Sequence, residues 1–338
     1  MPPRSYFVDP RISDYIAFAS AYFPEEKDLA AEFATRTKLP YVESSKHVAA
    51  YLGVSASLVR QIIHRPSYHY REFILKKADG GERKISTPKT YLKVVQWWIL
   101  DNILASQSLR DCVHGFRNGR SYVTNARTHL NSRHILNVDI KSFFDSIKVA
   151  HVAGVFSSLG YSVDGSRVLT ALTTKDGVAP TGAPTSPMIA NLIFRDADVQ
   201  LAAFALESGL VYTRYADDLT FSAQHRISER TASHIGKIVR AAGFELNTNK
   251  TKFMGPGDRQ DVTGVVINSR LNAPREWRNW ARGYLHRVRL SPDENAGEVD
   301  RVRGVYGTLR QFDPDHAHSL TRAAVQTLER LKSARSES

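Results

Sequence analysis

Cys112 is the only cysteine in 338 residues, which excludes an internal disulfide and any zinc site built on thiolates, and fits a reducing compartment. Long apolar runs are missing too. No stretch reaches the roughly 20 residues a membrane-spanning helix needs, and the N-terminal MPPRSYFVDP has no signal-peptide core. The sequence holds no internal repeat and no low-complexity tract. Acid is in short supply, with 34 Asp and Glu against 46 Lys and Arg, for a formal charge of +12 and a pI near 9.7. These absences predict a cytoplasmic protein with no membrane association and a polyanionic partner, most simply nucleic acid. At 42% hydrophobic and 24% charged, the composition is that of a globular chain, long enough for one large domain or two to three lobes.

The densest chemistry lies in residues 210–222, LVYTRYADDLTFS. Two short runs rich in Val, Tyr, Thr and Phe read as hairpin strands, with Ala216, Asp217 and Asp218 at the turn. Adjacent carboxylates repel unless a cation lies between them, and Mg²⁺ takes carboxylate oxygens together with substrate phosphates. A pair of aspartates can equally be an ordinary turn, so the rest of the chain has to decide.

Upstream, residues 1–40 carry apolar positions at helical spacing. Residues 44–64 place a glycine turn between two short amphipathic helices, with Ser55 or Ser57 capping the second. That pattern reads either as a DNA-reading helix-turn-helix or, more simply, as two packed helices of a larger enzyme. Residues 70–88 alternate as a strand, turn at Asp79, Gly80 and Gly81, and return as a strand, with Lys76, Lys77, Arg83 and Lys84 near the tip. Such groups can grip a triphosphate. A helix over 92–104 follows. Residues 135–140, ILNVDI, form a strand that turns Leu136, Val138 and Ile140 one way and Asn137 and Asp139 the other. A carboxylate ending a buried strand requires a compensating partner. Two aromatics, Phe143 and Phe144, come next beneath that acid.

Residues 177–192 make a Gly/Pro loop that enters a helix, with Ser186 as N-cap and Pro187 at the first helical position; the helix runs on to a stop near Gly209. After the hairpin come a helix over 228–242, a strand-like segment over 244–254 carrying Lys250 and Lys252, and a short strand over 262–267. Residues 275–289, REWRNWARGYLHRVR, interleave arginines with Trp277, Trp280 and Tyr284. A basic and aromatic face of this kind can follow a phosphate backbone, and its aromatics can equally form a core. The tail from Asp313 reads as helical.

Taken in order, NVDIKSFFDSI, PTGAPTSPMIANL, YTRYADDLTFS and GFELNTNKTKF resemble the successive motifs of a reverse transcriptase over residues 70–270. Asn125-Ala126-Arg127-Thr128-His129 and Val262-Thr263-Gly264 resemble the NAxxH and VTG signatures of bacterial retron reverse transcriptases. The resemblance implies an α+β, right-hand polymerase fold: fingers and palm, in which an antiparallel sheet packs on helices, and a small helical C-terminal thumb. The parts expected are a helical N-terminal region over 1–68, fingers over 69–134, palm over 135–268 (150–185 partly fingers) and thumb over 269–338. Only 74 residues follow Gly264, room for a thumb but not for an added nuclease domain. One departure from the family pattern stands out: the resemblance implies, as the usual residue, Gln before the glycine of the Gly-Ala-Pro loop, where this chain has Thr181.

The resemblance further implies RNA-directed DNA synthesis with two Mg²⁺ ions, for which Mn²⁺ can substitute. Asp139, Asp217 and Asp218 are the expected catalytic and metal-binding residues. Phe144, Arg83, Lys84, Gly182 and Lys250 are expected at the dNTP. Asn125, His129, Val262, Thr263, Gly264, Arg278 and Arg282 are expected at RNA, although His129 also reads as a hydrogen-bonded packing residue. The implied partners are a cognate retron non-coding RNA, its msDNA product primed from an internal guanosine 2′-hydroxyl, dNTPs and an accessory effector protein in anti-phage defence. Other readings are a different bacterial reverse transcriptase (group II intron, diversity-generating or abortive-infection type) and a non-catalytic RNA-binding scaffold.

Overall fold

The computed structural model describes residues 11–76, 80–292 and 294–336. The turn expected at Asp79 and the basic Lys77 beside it fall outside the described residues. In chain order the first helices are α1 (Ile12–Tyr22), α2 (Lys27–Thr37), α3 (Ser45–Leu52), α4 (Ala56–His64) and α5 (Thr90–Ile99), with strands β1 (Tyr70–Lys76) and β2 (Glu82–Pro88) before α5. Next come α6 (Tyr122–Thr128), β3 (His134–Asp139), α7 (Val149–Ser158), α8 (Val163–Thr173), α9 (Ser186–Ile193) and α10 (Arg195–Glu207). The chain then forms β4 (Val211–Tyr215), β5 (Asp218–Ala223), α11 (Glu229–Ala241), β6 (Lys252–Met254), β7 (Asp261–Val262) and β8 (Val265–Val266). It ends in α12 (Arg275–Leu290), α13 (Val299–Phe312) and α14 (Ser319–Ser336). No described helix is long and apolar enough to cross a membrane.

These elements form two compact units. The first comprises Met1–Arg117, Ile140–Ala203 and Ser233–Asn247; the second comprises Asn118–Asp139, Phe204–Ala232 and Thr248–Ser338.

The first unit is mostly helical. Ser44 and Ser55 cap α3 and α4 through the amides of Lys46 and Leu58, and Gly53 takes the left-handed turn between them at φ +63°. Both helices turn their apolar faces inward, and Tyr51 stacks on Trp98 at 5.1 Å, the packing expected of two helices in a larger enzyme. The helix expected over 92–104 changes character at its end. Leu100–Leu104 widens to a π turn, in which buried Asn102 donates to the Trp98 carbonyl and accepts from the Tyr15 hydroxyl.

In the Gly/Pro loop, Thr185 takes the cap position expected of Ser186, whose hydroxyl donates instead to the Pro180 carbonyl. The single helix expected from there to Gly209 breaks at Phe194, which turns inward to meet Phe143 and Phe244 at 5.9 and 5.3 Å. β1 and β2 form a two-stranded antiparallel ribbon, on which Phe73, Ile74 and Leu75 are exposed.

The second unit is built on a four-stranded antiparallel sheet in the order β4-β5-β3-β6. Register puts Asp139 opposite Asp218, Asn137 opposite Thr220 and Ile135 opposite Ser222. On β4, Tyr215 and Thr213 lie opposite Asp218 and Thr220. Strand alternation therefore gathers Asp139, Asp218, Thr220, Ser222 and Thr213 on one face and Leu136, Val138, Leu219, Phe221 and Tyr212 on the other.

Two expected strands are shorter or different in kind. In 244–254 only Lys252–Met254 is strand, because Thr248–Lys250 coils into a 3₁₀ turn. The segment 262–267 is a hairpin, not one strand: β7 and β8 pair across the two-residue turn Thr263-Gly264, both at positive φ. Helices α12, α13 and α14 share a core of Tyr284, Leu285, Val288, Val302, Val305 and Leu331.

Candidate active site

The turn joining β4 to β5 holds two residues, Ala216 and Asp217; Asp218, expected within the turn, is the first residue of β5. Ala216 sits at φ +58°, an uncommon conformation for a residue with a Cβ. Arg214, wholly enclosed on the apolar face, donates to the Ala216 carbonyl at 3.1 Å and braces the turn from behind. Sequence reasoning missed this arginine. Its signal was a charged residue at a core-facing position of an otherwise apolar strand.

Asp139 closes β3, is 7% exposed, and lies in register with Asp218. Lys250, delivered by the 3₁₀ turn, donates from Nζ to Asp139 Oδ2 at 3.0 Å. That hydrogen bond to Asp139 raises the ammonium pKa against the opposing effect of burial, and the charges of Asp139, Asp217 and Asp218 add to it. Asp218 keeps an exposed face, yet desolvation of its carboxyl, then the negative charges of Asp217 and Asp139, push its pKa up to about 7 despite Lys250 and Lys252.

Among the described residues no group of three His, Cys, Asp or Glu side chains is already closed around an ion position. The donor set nevertheless fits hard divalent cations. It offers carboxylate oxygens from three aspartates, one of them pushed toward neutrality by desolvation and then by its neighbours' charge, and an ammonium supplies positive charge at Asp139.

Of the residues expected at the dNTP, Lys250 belongs to the second unit, and the first unit holds Arg83, Lys84, Phe144 and Gly182. Lys84 does not stand alone: its ammonium pairs with Glu72 at 2.9 Å. Glu72 also receives Lys175 Nζ at 2.6 Å and the Ser86 hydroxyl at 3.3 Å, and Lys175, only 6% exposed, is bound by Asp176 as well. Hydrogen bonds from Lys175 and then Lys84 pull the Glu72 carboxyl down to about 2. Its contribution to stability is therefore whole above the ordinary carboxylate range and is lost as pH falls from about 4.5 to about 2. In Glu72→Gln, acid unfolding followed by circular dichroism should be shallower across that window than in the wild type.

Arg83 is exposed and adjacent to Lys84 on β2, so strand alternation turns it to the other face of the ribbon. Gly182 is at φ +110°, and a Cβ there would meet Ile85 Cγ2 at 2.9 Å and the Ser86 carbonyl at 3.2 Å. Gly182→Ala should lower stability by about 1–3 kcal/mol, readable as a lower melting temperature. Thr181, the departure from the expected Gln, acts through its backbone: its carbonyl accepts from the Ser86 amide at 2.8 Å. Phe144 is half-buried, its ring 5.7 Å from that of buried Phe143.

Residues 74–274 match the family model described as "Reverse transcriptase (RNA-dependent DNA polymerase)". Retron Mx65 reverse transcriptase of Myxococcus xanthus is 35% identical, over 88% of this chain and 74% of its own length. Retron Ec86 reverse transcriptase of Escherichia coli is 34% identical, over 81% of this chain and 86% of its own. Retron Mx162 reverse transcriptase of Myxococcus xanthus is 32% identical, over 84% and 67%. The chain belongs to the retron reverse transcriptases. It is an RNA-directed DNA polymerase of the divalent-metal-dependent class.

Within this retron polymerase, the residues expected at RNA divide into buried and exposed sets. Asn125, His129 and Val262 are each 0% exposed, which leaves their side chains no surface to offer RNA. Val262 packs with Ala126 and Val265 in a small core, and His129 is bonded within the sheet unit. Thr263 donates its hydroxyl to the Tyr122 carbonyl at 3.1 Å, so the VTG hairpin and the NAxxH helix α6 are docked on each other. Gly264, at the tip, is exposed.

On α12, Arg282 is exposed and lines, with His286 and Arg289, a groove of about 460 Å³ against α14. Trp280 stacks on Tyr284 at 5.3 Å with planes 4° apart, and the Arg301 guanidinium lies 5.0 Å over Tyr284. Tyr284 thus serves the helical core and Trp277 packs against it, while Trp280 stays exposed on the same side of the helix as Tyr284.

Proposed function

We propose that the polymerase copies part of a cognate structured retron RNA into msDNA, starting from the 2′-hydroxyl of an internal guanosine, with Mg²⁺ as the working ion and Mn²⁺ able to replace it. The observation that supports this reading is the convergence at one sheet end of Asp139 with Asp218 at the start of β5 and the adjoining turn residue Asp217, with Lys250 bonded to the first acid. Asp139, Asp217 and Asp218 would hold two ions. The chemistry supplied by ions held there would be a lowered pKa for the priming hydroxyl and neutralisation of the leaving pyrophosphate.

The chain's own residues do the rest. The three carboxylates fix the position of the positive charge. Lys250 Nζ, freed from Asp139, can give a proton to the leaving oxygen. Phe144 is the ring on which the incoming sugar rests. Arg83 and Lys84 meet the triphosphate, Lys84 by exchanging Glu72 for phosphate, and Gly182 lets the nucleotide approach its backbone.

Arg278, Arg282 and the exposed tip at Gly264 are the RNA contacts in this reading, by charge and shape rather than groove readout. The working division is an N-terminal region over 1–68, fingers over 69–134, palm over 135–268 and thumb over 269–338, in the cytoplasm. An accessory effector would couple synthesis to defence against phage.

The test is the product. Purified protein with the RNA encoded beside its gene, dNTPs and Mg²⁺ should yield DNA joined to RNA by a 2′–5′ branch that a debranching enzyme cleaves. A linear product would place the chain with the other bacterial reverse transcriptases instead.

A further inference from the structure

The NAxxH histidine is enclosed, and its bonds point at the catalytic hairpin. His129 caps the C-terminus of α6 and is 0% exposed. Its Nδ1 lies 2.7 Å from Ser222 Oγ on β5, and its Nε2 lies 2.7 Å from Thr213 Oγ1 on β4. Those hydroxyls are not direct neighbours: Thr213 is opposite Thr220, and Ser222 is opposite Val211. The imidazole therefore spans a diagonal of the ladder and is tied to both strands that lead into and out of the Ala216-Asp217 turn. Ser132 donates its own hydroxyl to Ser222 at 3.0 Å, which adds a third side chain to the same cluster.

The histidine is itself held from behind. α6 begins at a Ser121 cap, receives the Thr263 hydroxyl at the Tyr122 carbonyl, and packs Ala126 against Val262 and Val265. β4 is the edge strand of its sheet, paired to β5 over Val211–Tyr215. An edge strand is where a sheet opens most easily, and any slip of β4 would displace the Ala216-Asp217 turn, and Asp217 with it, relative to Asp139 and Asp218, which β3 and β5 hold in register.

We propose that His129 is a positioning residue for nucleotidyl transfer: its imidazole clasps β4 to β5 through Thr213 and Ser222 and holds the acid-bearing turn in place against Asp139, and it makes no contact with RNA. This rests on the chain being an active polymerase. It gives the NAxxH element an internal mechanical role, backed by the VTG hairpin.

Single-turnover dNTP incorporation on the cognate RNA, RNA binding by filter retention and a Mg²⁺ titration should be compared for wild type, His129→Ala, His129→Gln, Thr213→Val, Ser222→Ala and the His129→Ala/Thr213→Val double variant. In His129→Ala the maximal rate should fall by about 10- to 100-fold, the effect of a misplacement of about an ångström, with RNA affinity and the dNTP concentration for half-maximal rate within about twofold. More Mg²⁺ should be needed for half-maximal rate. His129→Gln, which keeps a donor and an acceptor, should recover part of the loss. Because the residues act as one unit, the double variant should be no worse than His129→Ala.

Thr213→Val and Ser222→Ala keep the core filled, so each reports on the clasp even if His129→Ala folds poorly; each should lose about 3- to 10-fold in rate, the size of one hydrogen bond. Weakened RNA binding with an unchanged rate at saturating RNA would overturn the clasp in favour of a recognition role. Lower melting temperatures with unchanged rate per folded molecule would reduce His129 to packing. A wild type that incorporates no dNTP overturns the polymerase assignment itself, whereas an active wild type with fully active Thr213 and Ser222 variants overturns the clasp alone.

Discussion

Asp217→Asn is expected to leave the protein folded and RNA-bound but to cut DNA synthesis by at least about a thousandfold. The substitution keeps the size of the side chain and removes one negative charge from a site whose work is to concentrate positive charge. A second measurement separates this from general damage. In the wild type, Asp217 is one reason the Asp218 carboxyl is pushed up to about 7. Without added metal that repulsion is a cost in the folded state, so Asp217→Asn should melt at the same temperature or higher. With millimolar divalent cation the wild type should gain thermal stability by linkage, and the variant should gain little. Full activity of Asp217→Asn, or equal stabilisation of both proteins by metal, would remove this carboxylate from the ion site.

Phe144→Ala is expected to relax sugar selection. The ring follows Asp139 by five residues, is half-buried, and is backed by Phe143, which is itself locked against Phe194 and Phe244. A ring so supported cannot swing aside cheaply, and a ribose 2′-hydroxyl pressed on it meets a steric penalty of about 1–3 kcal/mol. Removing the ring should therefore raise ribonucleotide incorporation relative to deoxynucleotide by about 10- to 100-fold, measured as the ratio of kcat/KM values. An unchanged ratio would assign discrimination to another side chain.

The catalytic elements were legible because their physics is local. Period-2 alternation in ILNVDI put Asp139 on the face away from Leu136, Val138 and Ile140, and Asp217 and Asp218 were expected together at the hairpin turn; the register adds that Asp218 already belongs to β5, directly opposite Asp139. Of two boundary errors, one has a local cause and the other a distant one. Residues 244–254 carry strand-like alternation, but Asn247 to Lys250 favour a tight 3₁₀ turn, and that turn brings Lys250 to Asp139. The helix break at Phe194 comes from a ring that packs inward, a long-range demand with no punctuating Gly or Pro.

What the sequence did not display is pairing across distance. That Glu72 binds both Lys84 and Lys175, or that His129 reaches two hydroxyls more than eighty residues away, depends on the assembled fold. A short signature such as NAxxH says that a histidine is there, and only its burial says whether it looks inward or toward a ligand.

The β1–β2 ribbon has a bearing on how this polymerase must be handled. Phe73, Ile74 and Leu75 put three successive greasy groups in water on a two-strand sheet, where among the described residues β1 has no further strand beyond it. Such a margin invites another chain to add itself, and the charges of Arg71, Glu72 and Lys76 along the same strand are the natural deterrent. High salt screens that deterrent, so concentrated stocks in molar salt should clump sooner than stocks in moderate salt, the reverse of what is usual for a strongly basic nucleic-acid enzyme.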